Sequence, residues 1–150
     1  MPRSSAETRE HVLGVAHELF YWHGIRATGV DRVAVAAGGP DPREQILAVF
    51  DALDEQVQPQ HCRGCPFLMA LAEFPDPAHR AAVTMKAWVR DRFGQLAAAL
   101  AGGGRAARPE LLADQLALVM EGTYASAQAL SAEGPARHAR TVVESLLDVS

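Results

Sequence analysis

The sequence lacks long apolar runs, alternating strand patterns and a secretion signal. No apolar stretch reaches the length that crosses a bilayer, and the first residues, Met1-Pro2-Arg3-Ser4-Ser5, do not have the pattern of a signal peptide. Valine and isoleucine never gather into short alternating runs bounded by turn residues, which argues against a sheet. We therefore expect a soluble, cytoplasmic, all-α protein.

Lysine is also scarce. Of the 14 lysine and arginine residues, Lys86 is the only lysine, and the formal net charge is −4. Residues 1–43 carry five arginines and five acidic residues, so this N-terminal part is neutral. A nucleic-acid-binding protein usually has a basic patch even when its total charge is acidic. The electrostatic signal for DNA in this sequence is therefore weak.

Helical segments account for most of the chain. Alanine and leucine make up much of the 49% of residues that are hydrophobic, and both lose little on entering a helix. Apolar side chains recur at helical spacing and predict two N-terminal helices before Gly38. A third helix opens at Asp41-Pro42, with Glu44 completing a capping box. Further helices are predicted over about 67–74, 76–101, 109–130 and 135–148.

An ordered set of motifs occupies residues 8–38. Leu19-Phe20 closes the first helix, Gly24-Ile25-Arg26-Ala27-Thr28 follows as a turn, and Val30-Asp31-Arg32-Val33-Ala34 leads to Ala36-Ala37-Gly38. Read on pattern alone, these residues form an amphipathic helix pair. Together they resemble the start of the DNA-binding head of the TetR family of transcription regulators. The resemblance implies that Arg26, Thr28 and Arg32 lie at the DNA, where the second helix crosses the backbone and positions the head.

The rest of the chain resembles the regulatory body of one TetR subgroup. The motifs that carry this likeness are Asp41-Pro42-Arg43-Glu44, Arg63-Gly64-Cys65-Pro66-Phe67, Ala72-Glu73-Phe74-Pro75-Asp76 and Ala113-Asp114-Gln115-Leu116. The resemblance implies an incomplete helix-turn-helix head over residues 1–39. It also implies a helical-bundle body over residues 40–150, for ligand binding and dimerisation.

One expected element is missing between the two parts. In the family, the Ala-Gly that ends the second helix turns into a recognition helix with an aromatic core, followed by a lysine. Here Gly38 runs into Gly39-Pro40-Asp41. The helix that starts at Asp41 is no substitute, because the carboxylates of Asp41 and Glu44 would face the DNA polyanion.

Two explanations of this departure stay open. Either the full protein contains the recognition helix as a further segment at this point, or the chain has lost that helix. In the second case it keeps the regulatory body but cannot recognise a specific DNA sequence. We favour the first, because the second helix has little reason to persist without the helix that it braces.

A ligand pocket is predicted from amphipathicity and the family resemblance together. Large, adaptable side chains fall on the helices that enclose an apolar cavity in the family. Methionines and aromatics at helical spacing are also typical of an ordinary core, so that alternative stays open. The candidate pocket residues are Phe67, Met69, Phe74, Met85, Trp88, Met120 and Tyr124.

A homodimer is predicted through the last two helices. They form an antiparallel hairpin rich in small residues, and in the resembling family that hairpin pairs with its twin as a four-helix bundle. The candidate interface residues are Leu116, Thr123, Ala127, Leu130, Val143 and Leu146.

No catalytic or cofactor motif stands out. Cys62 and Cys65 form a Cys-x-x-Cys with one adjacent histidine, which is short of a four-ligand zinc site. Arg63 could lower a thiol pKa, so a redox role is possible, although simple packing explains both cysteines. We predict no enzyme, no metal and no cofactor.

The sequence therefore favours a ligand-responsive, DNA-binding transcription regulator that acts as a homodimer. Among such regulators, a repressor is the favoured interpretation. Its partners would be a second copy of itself, operator DNA if the head is complete, and a small apolar ligand, with no membrane. The alternative is a dimeric small-molecule-binding or thiol redox-sensing protein without DNA-binding activity.

Overall fold

Four helices form the described part of the molecule. The computed structural model describes residues 7, 11, 38–58, 64, 65, 68, 69, 72, 75–104 and 107–149, and over 75–81 the backbone alone. The helices are α1 (Pro42–Gln56), α2 (Pro75–Gly102), α3 (Pro109–Leu130) and α4 (Ala139–Val149), and a short 3-10 helix (Pro135–His138) precedes α4. Within these ranges there is no strand, and the all-α prediction is confirmed.

The start of α1 is set by local chemistry. The Asp41 carboxylate accepts a hydrogen bond from the Arg43 backbone N–H at 3.0 Å, and Pro42 occupies the first helical position, where its missing N–H costs nothing. Gly38 lies close against this first turn. A Cβ at position 38 would stand only 2.5 Å from the Gln45 Cα. Only glycine fits there without moving the helix backbone.

The four helices enclose one apolar core. Helix α2 packs along α3, α1 lies against α2 and α4, and α4 also contacts α3. At the centre, the rings of Phe50 and Phe93 stack with centroids 5.9 Å apart and planes 16° from parallel. The largest fully buried side chains are Phe50, Phe93, Ile46, Leu112, Leu116, Val57 and Val143.

Two ion pairs join α1 to α4. Arg43 Nη2 lies 2.8 Å from Asp148 Oδ1, near the start of one helix and the end of the other. Arg140 bonds Asp51 through Nη1, and its Nε also contacts Glu144 at 3.1 Å. Burial lowers the Arg140 pKa, but the two carboxylates outweigh it and hold that pKa above its ordinary value.

The predicted helices are confirmed over α1 and α3, and α2 begins one residue earlier than predicted. The last helix needs a correction. Residues 135–138 form a 3-10 helix, so the α-helix starts only at Ala139. Val142, in the first turn of this α-helix, is exposed. Val143 and Leu147 lie one turn apart and face the core, and residue 142 is rotated about 100° away from Val143.

Several predictions fall on residues outside the described ranges. The two N-terminal helices and most of the predicted helix over 67–74 are among them, although Leu68, Met69 and Ala72 are helical. In the part of the chain that is described, no helix has the length and apolar character needed to cross a membrane.

Candidate functional site

The residues predicted to contact DNA, Arg26, Thr28 and Arg32, lie outside the described residues. The structure does show what the helix beginning at Asp41 is used for. Its first carboxylate caps its own amides, Arg43 is paired with Asp148, and its apolar face is buried in the core. These contacts make α1 part of the four-helix core, and its predicted place in the regulatory body stays a prediction.

The candidate pocket residues have different environments. Met120 is buried, Met85 and Tyr124 are partly buried against the core, and Met69 is half-buried. Trp88, on α2, is 44% exposed to solvent. Phe67 and Phe74 lie outside the described residues. The pocket assignment as a whole stays a prediction.

Four of the six predicted dimer residues are enclosed in a single chain. Leu116 and Val143 have no exposed surface, and Thr123 and Ala127 are buried. A partner could not contact them without displacing the core. The other two differ, since Leu130 is exposed and Leu146 is partly buried. If a dimer forms through this hairpin, its contacts must come from other side chains of α3 and α4.

A second apolar face runs along the outside of α3. Its members fall at steps of seven, four, three and four, which place them on one side of a helix. Leu118 is the most exposed of them, at 72%. We call this face the outer stripe; its residues are Leu111, Leu118, Gly122, Ala125 and Ala129.

A polar cluster bridges α2 and α3. Lys86 of α2 donates to Glu121 Oε1 of α3, and its Nζ also lies 3.2 Å from Cys65 Sγ. The same ammonium sits 5.7 Å from the ring centroid of Tyr124, within the range of a cation–π contact. We call Lys86, Glu121, Cys65 and Tyr124 the lysine cluster.

The segment before α2 and the end of α1 hold this cluster in place. The Tyr124 hydroxyl donates to Gln56 Oε1 in the last turn of α1 at 2.9 Å. Gly64, with φ +108°, brings the backbone before Cys65 against α3, since a Cβ there would meet the Gln128 amide oxygen at 2.5 Å. A glycine at 64 therefore lets Cys65 approach Lys86.

The charge state of Lys86 follows from its partners. Burial lowers the Lys86 pKa, but the hydrogen bonds and charges of Glu121 and Cys65 outweigh burial and raise that pKa above its ordinary value. The stabilisation by the ammonium is thus complete below the unfolded pKa and is lost only as pH rises through the still higher folded pKa. At neutral pH the lysine is charged.

The cysteine prediction is only partly addressed. Cys62 lies outside the described residues, and Cys65 is a free, buried thiol in contact with Lys86. No group of three or more potential metal-ligating side chains occurs within the described ranges. A redox role for the two cysteines stays a prediction.

The pairing of Lys86 with Glu121 was not predicted. Both residues directly follow a methionine of the candidate pocket, Met85 and Met120, and Lys86 was already notable as the only lysine. Helical spacing places each residue beside an apolar stripe, but it cannot show that two stripes on different helices meet. Only the packing of α2 on α3 joins these side chains.

Comparison with known proteins gives a consistent result for the fold. No family profile and no curated protein matches the sequence. A crystal structure of a TetR-family transcriptional regulator from Streptomyces coelicolor matches with a TM-score of 0.67 and 23% identity, over 95% of each chain. The chain has the fold of a TetR-family regulator.

A second solved structure supports this assignment. A protein from Streptomyces avermitilis, described as a proposed TetR transcriptional regulator, matches with a TM-score of 0.60 and 28% identity. The match covers 95% of this chain and 97% of that one. The TetR resemblance that the sequence predicts is therefore confirmed for the fold.

Proposed function

We propose that the protein is a DNA-binding transcription regulator of the TetR type, which acts as a homodimer and releases DNA when a small apolar molecule binds its body. The observation that carries this proposal is the likeness to two TetR-type regulators along 95% of the chain. A repressor is the simplest form of such a regulator, because ligand binding in the body then changes the spacing of two heads on successive major grooves.

DNA binding is the part of the proposal to test first. Duplexes selected from random sequence should bind the full chain at low salt, and the affinity should fall steeply as salt rises, because phosphate neutralisation supplies most of it. Arg32→Ala should weaken all selected duplexes about equally and reduce the slope of log affinity against log salt by about one unit. Arg137→Ala, at an exposed arginine of the 3-10 helix, is the matched control and should behave as wild type.

Three results would count against this role. Loss of affinity at a single base position would place Arg32 in the groove. An equal effect of Arg137→Ala would mean that binding follows overall charge alone. Absence of binding to any duplex at low salt, with the protein folded, would favour the alternative of a small-molecule-binding or redox-sensing protein without DNA activity.

Dimerisation is supported by the outer stripe. Leu118 is 72% exposed in the middle of a 22-residue helix. Burying its apolar surface against a second chain would contribute roughly 25 cal/mol of free energy per Å². The stripe carries no charge that would be repeated across a two-fold axis. Gly122, Ala125 and Ala129 are small enough to let a second helix approach closely. Helix α4 also has exposed valines, Val142 and Val149.

Leu118→Glu should therefore convert the dimer to a folded monomer. The substitution places two carboxylates near the symmetry axis, where burial without a partner is unfavourable. Light scattering at several protein concentrations measures the mass. Val83→Glu is the control, since Val83 is an exposed aliphatic residue that belongs to α2 and not to the outer stripe. A dimer that survives Leu118→Glu, or a wild-type monomer at high concentration, would contradict this interface.

A further inference from the structure

The lysine cluster contains one acceptor that no residue in the described part of the chain satisfies. Glu121 Oε1 accepts from Lys86, but Glu121 Oε2 is buried and has no hydrogen-bond partner. A buried acceptor left without a partner is unfavourable, and more so when it is charged. Such atoms are rare in folded proteins and call for a physical explanation.

The donors around this oxygen are already used. The Lys86 ammonium has three N–H directions, and it has three partners: Glu121 Oε1, Cys65 Sγ and the face of the Tyr124 ring. The Tyr124 hydroxyl donates to Gln56, and the Thr123 hydroxyl donates to the Val119 carbonyl of its own helix at 2.7 Å. The weak S–H donor of Cys65 also makes no bond to Oε2, so the cluster offers an acceptor that none of its own donors satisfies.

The surroundings indicate what kind of molecule could supply the donor. Lys86 already balances the Glu121 charge, so a cationic group would add an unbalanced charge to a half-buried site. Met85 and Met120 precede the pair on their helices and pack with the core, and the Tyr124 ring lies beside the ammonium. The Glu121 side chain as a whole is 33% exposed, although its Oε2 atom is buried, so the carboxylate lies just beneath the surface.

We infer that Glu121 Oε2 receives the hydroxyl of an uncharged, largely apolar alcohol or phenol bound in the body between α2 and α3. This inference rests on the proposed ligand response and names its ligand class. The carboxylate accepts the hydroxyl proton in a charge-assisted hydrogen bond, which is stronger than one between neutral groups. Methyl ethers of the same size offer no proton and leave Oε2 unsatisfied.

The test uses two probes, 1-naphthol and its methyl ether 1-methoxynaphthalene, in which one methyl group replaces the donated proton. Calorimetric titration of the full wild-type chain should show 1-naphthol binding about tenfold more tightly. Glu121→Gln should abolish or reverse this preference, because the amide can still accept from Lys86 with its oxygen while its nitrogen donates where Oε2 accepted. Glu110→Gln, at an exposed glutamate in the first turn of α3, should keep the wild-type preference.

Each other outcome has a definite meaning. Equal binding of the two probes by wild type, or binding of neither up to their solubility limits, overturns the inference and leaves a resident water as the partner of Oε2. A 1-naphthol preference that persists in Glu121→Gln also overturns it. If the preference follows Glu121 but 1-naphthol leaves DNA binding unchanged, the inference stands and the proposed ligand response fails.

Discussion

Leu116→Glu is expected to lower the free energy of unfolding by at least about 5 kcal/mol, which is comparable to the whole stability of a domain of this size. Leu116 has no exposed surface and lies among the buried side chains of all four helices. The substitution removes a buried aliphatic side chain and forces a carboxylate, or its protonated form, into a site with no partner. Far-ultraviolet circular dichroism with urea unfolding measures the loss.

The control lies two residues further along the same helix. Leu118→Glu makes the same chemical change at a side chain that is 72% exposed, so its helical signal at 25 °C should stay close to that of wild type. A Leu116→Glu protein with the urea midpoint of Leu118→Glu would show that Leu116 faces solvent, and the packing of α3 described above would then be wrong.

Phe93→Ala is the second large expected effect. The Phe93 ring is buried and stacks on Phe50, so its removal loses apolar burial and leaves a cavity between α1 and α2. We expect a loss of about 3–5 kcal/mol in unfolding free energy. Phe93→Leu keeps most of the volume and should cost less than about 1.5 kcal/mol.

A double-mutant cycle isolates the contact between the two rings. Phe50→Leu and Phe93→Leu, measured singly and together by urea unfolding, should show a coupling of about 0.5–1.5 kcal/mol beyond the sum of their separate effects. Additive effects would mean that the rings contribute through burial alone. A Phe93→Ala protein as stable as wild type would place the ring outside the core.

Much of the fold could be predicted because the residues at the start of each helix determine where that helix begins. Asp41-Pro42 and Pro109 mark the first turns of α1 and α3, and the structure places both helices there. The inward faces also follow from spacing, as Phe50 and Phe93 show. Residues 135–138 differ, because proline suits the first position of a 3-10 helix as well as that of an α-helix.

The sites could not be predicted in the same way. Helix α3 is apolar on two faces, and spacing alone cannot tell which face fills its own core. Leu116 was predicted to contact a partner chain, while the structure encloses Leu116 and exposes Leu118. The Lys86–Glu121 contact joins residues 35 positions apart on different helices. Such a contact depends on tertiary packing, which no local pattern records.

The two ion pairs between α1 and α4 share one geometric property. Arg43 and Asp51 are eight residues apart, and so are Arg140 and Asp148, so each helix spaces its pair by about 12 Å along its axis. A single exposed pair is worth about 1 kcal/mol or less and leaves one helix free to pivot on the other. Two pairs at equal spacing on antiparallel helices oppose sliding and pivoting together. Helices α1 and α4 should then move together as one rigid unit. A displacement of α4 would therefore also displace the start of α1 and the turn at Gly38 that precedes it.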